Sequence, residues 1–248
     1  MCVIQARMGS SRLPGKVLME ACGRPLLSLM LDRVKRCETI DEIRVATSDR
    51  EKDDEVEEVA RTFGVLCFRG SESDVLDRYR GAAERSQADV VVRLTGDCPF
   101  IDPKVVDRVI RHYEDRADSV DYVSNILRRT YPQGLDTEVF SRAALERAAA
   151  EARHPYHREH VTPYIHGRNC EGLPTGEFQL SSVEYETDFS HLRLCVDETE
   201  DYEFVRRVFE ALLPENPGFS WLDVVALLTC HPDLLAINAQ VENTVRTA

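Results

Sequence analysis

CVIQARMGSSRLPGK, residues 2–16, is the stretch whose reading decides the fold. Cys2 to Ala6 reads as a short apolar strand of the kind buried on both faces. A polar loop follows it directly. Arg7, Arg12 and Lys16 supply positive charge, Ser10 and Ser11 supply hydroxyl donors, and Gly9 and Gly15 permit close backbone approach. The loop holds no acidic residue. Ligands of open parallel sheets bind beyond the carboxyl ends of the strands, so this loop stands where a polyphosphate cradle belongs. It is not a P-loop. Five residues (SSRLP) separate Gly9 from Gly15 where that motif has four, and Val17 follows Lys16 in place of Ser or Thr. No G-x-G-x-x-G is present, so a dinucleotide fingerprint is also excluded.

Outward from the loop, strand and helix signals alternate. Pro25 to Cys37 has helical periodicity, and Ile43 to Ser48 is strand-like. Asp53 and Asp54 stand at the cap of a helix through Glu57 to Phe63. Val65 to Phe68 reads as a strand, and Ser73 or Asp74 caps a helix ending at Ser86. Val90 to Leu94 is an apolar strand broken by Thr95-Gly96-Asp97. Pro103 sits at the first turn of a helix continuing through Val105 to Tyr113. The later chain differs. Tyr122–Ile126, Leu135–Phe140, Phe178–Glu186 and Leu192–Val196 read as strands. Ser141–Arg153, Asp201–Leu213 and Trp221–Cys230 read as helices, and His157–His166 as partly helical, interrupted by Pro163. The expectation is one α/β domain over residues 1–248. It has a mostly parallel central sheet with helices on both faces and a small β-rich lobe at about 120–190.

The chain has 248 residues, 43% of them hydrophobic and 30% charged, which suits a sizeable core and excludes a disordered chain. Lys plus Arg total 31 against 44 Asp plus Glu, a net charge of −13 that disfavours a nucleic-acid partner. No apolar run approaches the ~20 residues that span a bilayer. No secretory leader opens the chain, so a cytoplasmic protein without a membrane partner is expected. Eight cysteines include no Cys-x-x-Cys pair, which reads as reduced thiols rather than a zinc ribbon.

Asp97 follows VVVRLTG and Asp197 follows LRLCV. Each ends an apolar strand, which would set both over one edge of the sheet. Two adjacent carboxylates repel unless a cation lies between them. Hard oxygen ligands of this kind suit Mg²⁺, commonly held by one or two carboxylates plus substrate phosphates. The competing reading is that each aspartate caps the next element. His154, His157, His160 and His166 cluster in HPYHREHVTPYIH, with His157 and His160 three apart. Only Glu159 accompanies them, so a substrate-facing or subunit-facing segment is expected rather than zinc.

The run IQARMGSSRLPGK resembles the opening motif of the SpsF-type (spore-coat polysaccharide) cytidylyltransferases, relatives of the CMP-Kdo and CMP-acylneuraminate synthetases. The likeness continues through ATSD (46–49), GSESDVLDRY (70–79), RLTGDCPFIDP (93–103), QGLDTEVFS (133–141), REHVTPYI (158–165) and VDETEDYE (196–203). The resemblance implies a nucleotide-diphospho-sugar transferase fold, a CTP substrate, Mg²⁺ as cofactor, release of pyrophosphate, a CMP-linked acidic product and a homodimer. It implies that Ala6, Arg7, Gly9, Ser10, Ser11, Arg12 and Lys16 hold the triphosphate. Thr47, Ser48, Asp74, Arg78 and Thr95 would lie near the nucleotide. Asp97 and Asp197 would hold the metal and, with Arg12 and Lys16, form the catalytic set. Gln133, Gly134, Asp136, Glu138, Arg158, Glu159 and His160 would face a small acidic acceptor. The readings weighed against it are a nucleotidyltransferase using another nucleoside triphosphate, a non-catalytic nucleotide binder, and a glycosyltransferase of the same fold. The last commonly uses an Asp-x-Asp motif, which this sequence lacks.

Overall fold

The computed structural model describes residues 1–241. In chain order β1 (Cys2–Gln5) leads through the loop to a hairpin, β2 (Glu20–Ala21) and β3 (Arg24–Pro25), and to α1 (Leu26–Val34). Then come β4 (Ile43–Ser48), α2 (Asp54–Thr62), β5 (Leu66–Gly70), α3 (Val75–Ser86), β6 (Val90–Thr95) and α4 (Pro103–Glu114). The segment 120–190 supplies β7 (Tyr122–Ser124), β8 (Glu138–Ser141), α5 (Arg142–Glu151), α6 (Pro155–His160), α7 (Pro163–His166) and β9 (Leu180–Ser182). The chain continues through α8 (Thr199–Leu212), α9 (Trp221–Cys230) and α10 (Pro232–Asn238).

One seven-stranded sheet runs through the molecule in the order β5-β4-β1-β6-β8-β7-β9. β5, β4, β1 and β6 pair parallel, β8 pairs antiparallel with both β6 and β7, and β9 returns parallel to β7. The strands of the 120–190 segment therefore extend the main sheet. The alternation of β1 explains its continuous apolar run. Cys2 and Ile4 pack with Leu27, Met30 and Leu31 of α1, Val56 of α2 and Val106 of α4. Val3 packs on the other face with Leu76 and Tyr79 of α3 and Leu145 of α5. Burying Leu27, Met30, Leu31 and Val34 contributes about 1.5–3 kcal/mol each. That packing, not intrinsic propensity, sustains a nine-residue helix.

Caps set several boundaries. Asp102 accepts from Lys104 N and Val105 N, with Pro103 as the first helical residue of α4. Asp74 accepts from Asp77 N at the start of α3. Ser220 with Asp223 and Glu198 with Asp201 form capping boxes on α9 and α8.

Three expectations are corrected. Leu192–Val196 is not a strand. It makes a single parallel bridge, Gln133 with Arg193, apart from the seven strands of the sheet. Phe178–Glu186 shrinks to β9. Pro163 begins α7 rather than breaking a helix. The break falls at Val161, buried and held at φ 73°, ψ −64°, a conformation a β-branched residue adopts only under constraint. The hairpin β2–β3 and α10 carried no signal strong enough to be expected.

Candidate functional site

The loop after β1 is built from within. Gly15 at φ 75° donates from its N–H to Met8 O at 2.9 Å, closing the turn that starts the Lys16–Leu18 segment. Met8 N donates to Asp53 Oδ1 at 2.6 Å. Asp53 is buried and also accepts from the Ser48 hydroxyl, so β4 braces the loop from behind. This shape sends the Lys16 side chain inward under the sheet edge.

Lys16 is 8% exposed. Its Nζ donates to Asp97 Oδ2 at 2.9 Å, Asp197 Oδ1 at 2.9 Å and Val196 O at 2.7 Å. Burial alone would lower its pKa, but the two carboxylates override that and raise it. Burial opposes the charge of Asp97, yet Lys16 and hydrogen bonds from Thr95, Lys16 and Cys98 bring its pKa down to about 2. Asp197 reaches this point without a strand. Val196 N donates to Asp97 O at 2.8 Å, which ties the two aspartate backbones together. Gly134 permits the approach, because a Cβ there would lie 2.6 Å from Leu194 C, and its φ is 104°. Asp197 Oδ1 also meets Arg12 at 2.7 Å, and its Oδ2 meets Arg193 at 2.8 Å. Arg193 is in turn held by buried Asp201. Two carboxylates and three cations thus share one focus, with Lys16 and Arg193 buried and Arg12 and Asp97 reaching the open side.

The focus lies in a cleft of about 590 Å³, a size ordinary for small-molecule sites. Of the residues expected there, Ala6, Arg7, Ser10, Ser11, Arg12, Lys16, Arg78, Thr95, Asp97, Gln133, Gly134, Asp136, Glu138, Glu159, His160 and Asp197 line it. Five do not. Thr47 and Ser48 are buried in β4. Gly9 abuts Glu72 and Lys52, where a Cβ would come within 2.8 Å of each. Asp74 and Arg158 bond to each other, Arg158 Nη2 donating to Asp74 Oδ2 at 2.6 Å behind the wall.

Sequence reasoning missed Arg93, Arg129, Arg168 and Asn169 on the cleft, and it named the 154–166 segment as substrate-facing or subunit-facing without singling out Tyr156, Thr162 and His166, which also line it. Arg93 had a signal: a lone cation in an apolar strand needs a counter-charge. It faces Glu138 across the β6–β8 register and forms an ion pair with it. Glu138 is buried beside Arg93, and although burial opposes its charge, its pKa is lowered. It also accepts from Tyr122 Oη at 2.7 Å. Arg129 forms a bidentate pair with Asp136, at 2.6 and 2.8 Å. Its partner lies seven residues away across an irregular loop, a spacing that carries no pattern. The histidine run does not form a cage. Among the described residues no three His, Cys, Asp or Glu side chains converge as metal ligands. His157 is buried with Nε2 3.5 Å from Cys170 Sγ. All eight cysteines are free thiols. No helix among the described residues is long and apolar enough to cross a membrane.

Comparison with known proteins agrees with this geometry. The family model described as Cytidylyltransferase matches residues 1–217. The chain is 42% identical over 239 residues to an uncharacterised protein of Methanocaldococcus jannaschii, covering 96% of this chain and 94% of that protein. It is 35% identical over 236 residues to the spore coat polysaccharide biosynthesis protein SpsF of Bacillus subtilis, covering 93% and 94%. A solved cytidylyltransferase from Leptospira borgpetersenii superposes with a TM-score of 0.87 at 36% identity over 94% of each chain. A CMP:2-keto-3-deoxy-manno-octonic acid synthetase complexed with CTP superposes at 0.62 with 21% identity over 85% of this chain and 98% of that one, which shows a shared fold. With most of its length matched by that model and by full-length relatives, the chain belongs to the cytidylyltransferase family.

Proposed function

We propose that this protein transfers CMP from CTP to a small acidic sugar and releases pyrophosphate. The observation that carries the reading is the convergence of Lys16, Asp97 and Asp197, from three distant parts of the chain, in a cleft beside a cationic loop. Ala6, Arg7, Ser10, Ser11, Arg12 and Lys16 hold the triphosphate, with Thr95 and Arg78 beside the nucleoside. Gln133, Gly134, Asp136, Glu138, Glu159 and His160 line the acceptor side. Gly9, Thr47, Ser48, Asp74 and Arg158 support this machinery from behind. An acceptor hydroxyl oxygen attacks the α-phosphorus, a new O–P bond forms, the bond to the β-phosphate breaks, and the hydroxyl proton passes to solvent. Arg12 and Lys16 neutralise the charge that gathers on the departing pyrophosphate.

The donor set fits a divalent cation. Asp97 and Asp197 are hard oxygen ligands that already share one cationic centre, the Lys16 ammonium. They would hold Mg²⁺, which supplies charge neutralisation at the phosphate oxygens. The same reading takes residues 1–248 as one nucleotidyltransferase domain with an acceptor lobe at 120–190. It also takes the protein as a cytoplasmic homodimer joined through the Gln133–Tyr164 region.

A pyrophosphate-release assay tests the reaction, using each of the four common ribonucleoside triphosphates against a panel of 2-keto sugar acids, other acidic sugars and phosphonates. Release is expected with CTP and an acidic sugar, abolished by a chelator and restored by Mg²⁺. Turnover of another nucleotide with CTP inert, or release of a nucleoside diphosphate from a nucleotide sugar, would refute the assignment. Sedimentation velocity checks the dimer, and cell fractionation the compartment.

A further inference from the structure

We propose that Arg168 is the residue that reads the negative charge of the acceptor. This rests on the function proposed above, which sets the acceptor against the α6–α7 side of the cleft. The charges of the cleft wall sort simply. Arg7 meets Glu159 at 3.4 Å, Arg12 meets Asp197 at 2.7 Å, and Arg93 and Arg129 are paired with Glu138 and Asp136. Arg78 belongs to the nucleotide side, where Nη1 donates to Ser71 O at 2.6 Å and Glu72 O at 3.1 Å. On the lobe side His166 contributes no charge at neutral pH, because desolvation brings it down to about 4. The acids of that side, Asp136, Glu138 and Glu159, each have an arginine partner. Arg168 lines the same wall, is exposed, and forms no ion pair among the described residues. An acidic acceptor entering there meets one uncompensated positive charge.

The main chain that carries Arg168 is fixed. Gly167 closes α7 at φ 68°, donating from N to Pro163 O at 2.9 Å. Arg168 N donates to His166 Nδ1 at 3.0 Å. Two residues on, buried Cys170 points its thiol at Arg168 O, 3.2 Å away, and at Pro163 O, 3.5 Å away. The guanidinium therefore projects from a backbone tied at both ends, so gripping a ligand costs side-chain freedom but little backbone freedom. Its planar fork matches a carboxylate with two parallel N–H donors.

The test uses the full chain, CTP, and two probes: 3-deoxy-manno-octulosonate and its carboxamide. Arg168→Ala should raise the KM for the acid about 10- to 100-fold, the loss expected for a hydrogen bond between charged groups. The KM for CTP should not move. The preference for the acid over the carboxamide should vanish in Arg168→Ala and largely return in Arg168→Lys, a pattern that loss of folding would not produce. An unchanged acceptor KM, a rise confined to CTP, or an equal loss for both probes would overturn the assignment of Arg168 and leave the reaction standing. Wild-type protein that turns over neither probe, nor any acidic sugar of the wider panel, would overturn the reaction and this inference together.

Discussion

Lys16→Met removes the ammonium from between Asp97 and Asp197 while keeping most of the side-chain volume. The two carboxylates suffer unequally. Asp197 retains Arg12 at 2.7 Å and Arg193 at 2.8 Å. Asp97 loses its ion-pair partner and keeps only the Thr95 and Cys98 hydrogen bonds. The depression of Asp97 from 3.8 to about 2 corresponds to roughly 2 kcal/mol of charge stabilisation at ~1.36 kcal/mol per pKa unit. Breaking a buried pair by deleting one partner costs ~3–5 kcal/mol. Asp97 is 27% exposed and stays partly hydrated, so the lower end applies. We expect Lys16→Met to lose about 2–3 kcal/mol. Urea unfolding in chelator at pH 7.5 measures it, read through Trp221, the single tryptophan, which is buried. Adding Asp97→Asn to Lys16→Met removes the stranded charge and should recover at least about 1 kcal/mol. Both variants should remain about 10²–10³-fold slower in pyrophosphate release. The double variant would then be stable and inactive, separating the charge that folding requires from the charge that chemistry requires. A Lys16→Met protein within about 0.5 kcal/mol of wild type, the range of a surface change, would refute the reasoning. So would a double variant no more stable than the single one.

Gly134→Ala should cost more than about 2 kcal/mol and lower kcat, because the new methyl meets the Leu194–Cys195 backbone that delivers Asp197; circular dichroism melting and the release assay check it. Glu138→Gln leaves Arg93, 13% exposed, without its counter-charge and should lose about 3 kcal/mol in denaturant titration, with Glu138→Gln/Arg93→Leu regaining part of it. His166 titrates near 4 in the fold against 6.5 when unfolded, so its contribution is complete above 6.5 and is lost as pH falls from 6.5 to 4. Stability should drop by up to about 3 kcal/mol over that window, and His166→Gln should flatten the profile; superimposable profiles of the two proteins would contradict the burial argument.

The sheet was legible because β1, β4 and β6 are buried on both faces and display that burial as apolar runs. The cationic loop was legible because a glycine-bearing basic stretch directly after such a strand has few other uses. Asp197 is the instructive case. Its role was expected from a strand that does not exist. Leu192–Val196 is apolar because Leu192, Leu194 and Val196 fill the core under α8 and α9, not because they pair along their length. The aspartate still arrives, through one backbone bond from Val196 to Asp97 and the space Gly134 leaves. Arg129 and Arg168 were invisible for a different reason. Each stands on irregular backbone, where no periodicity distinguishes a cleft-facing arginine from a solvated one.

The residues that the family likeness assigned to ligands but that lie behind the cleft share one physical task. Arg158 donates to Asp74 and, through Nη1, to Ala149 O at 2.7 Å, so it ties α6 to the start of α3 and the end of α5. Its neighbour Glu159 reaches across to Arg7, which also donates to Glu72 O at 2.9 Å. Consecutive residues of one short helix thus bind the α6 side of the cleft to the loop after β1 and the start of α3, one from behind and one within the cleft. Ser48 and Asp53 brace the loop after β1 in the same way. A motif that includes both kinds of residue cannot distinguish contact from support, because both are polar and adjacent in sequence. Position separates them: Asp74 and Ser48 spend their side chains on protein partners away from the cleft, whereas Arg168 lines it. Removing support should therefore weaken both substrates together, and removing contact should weaken one.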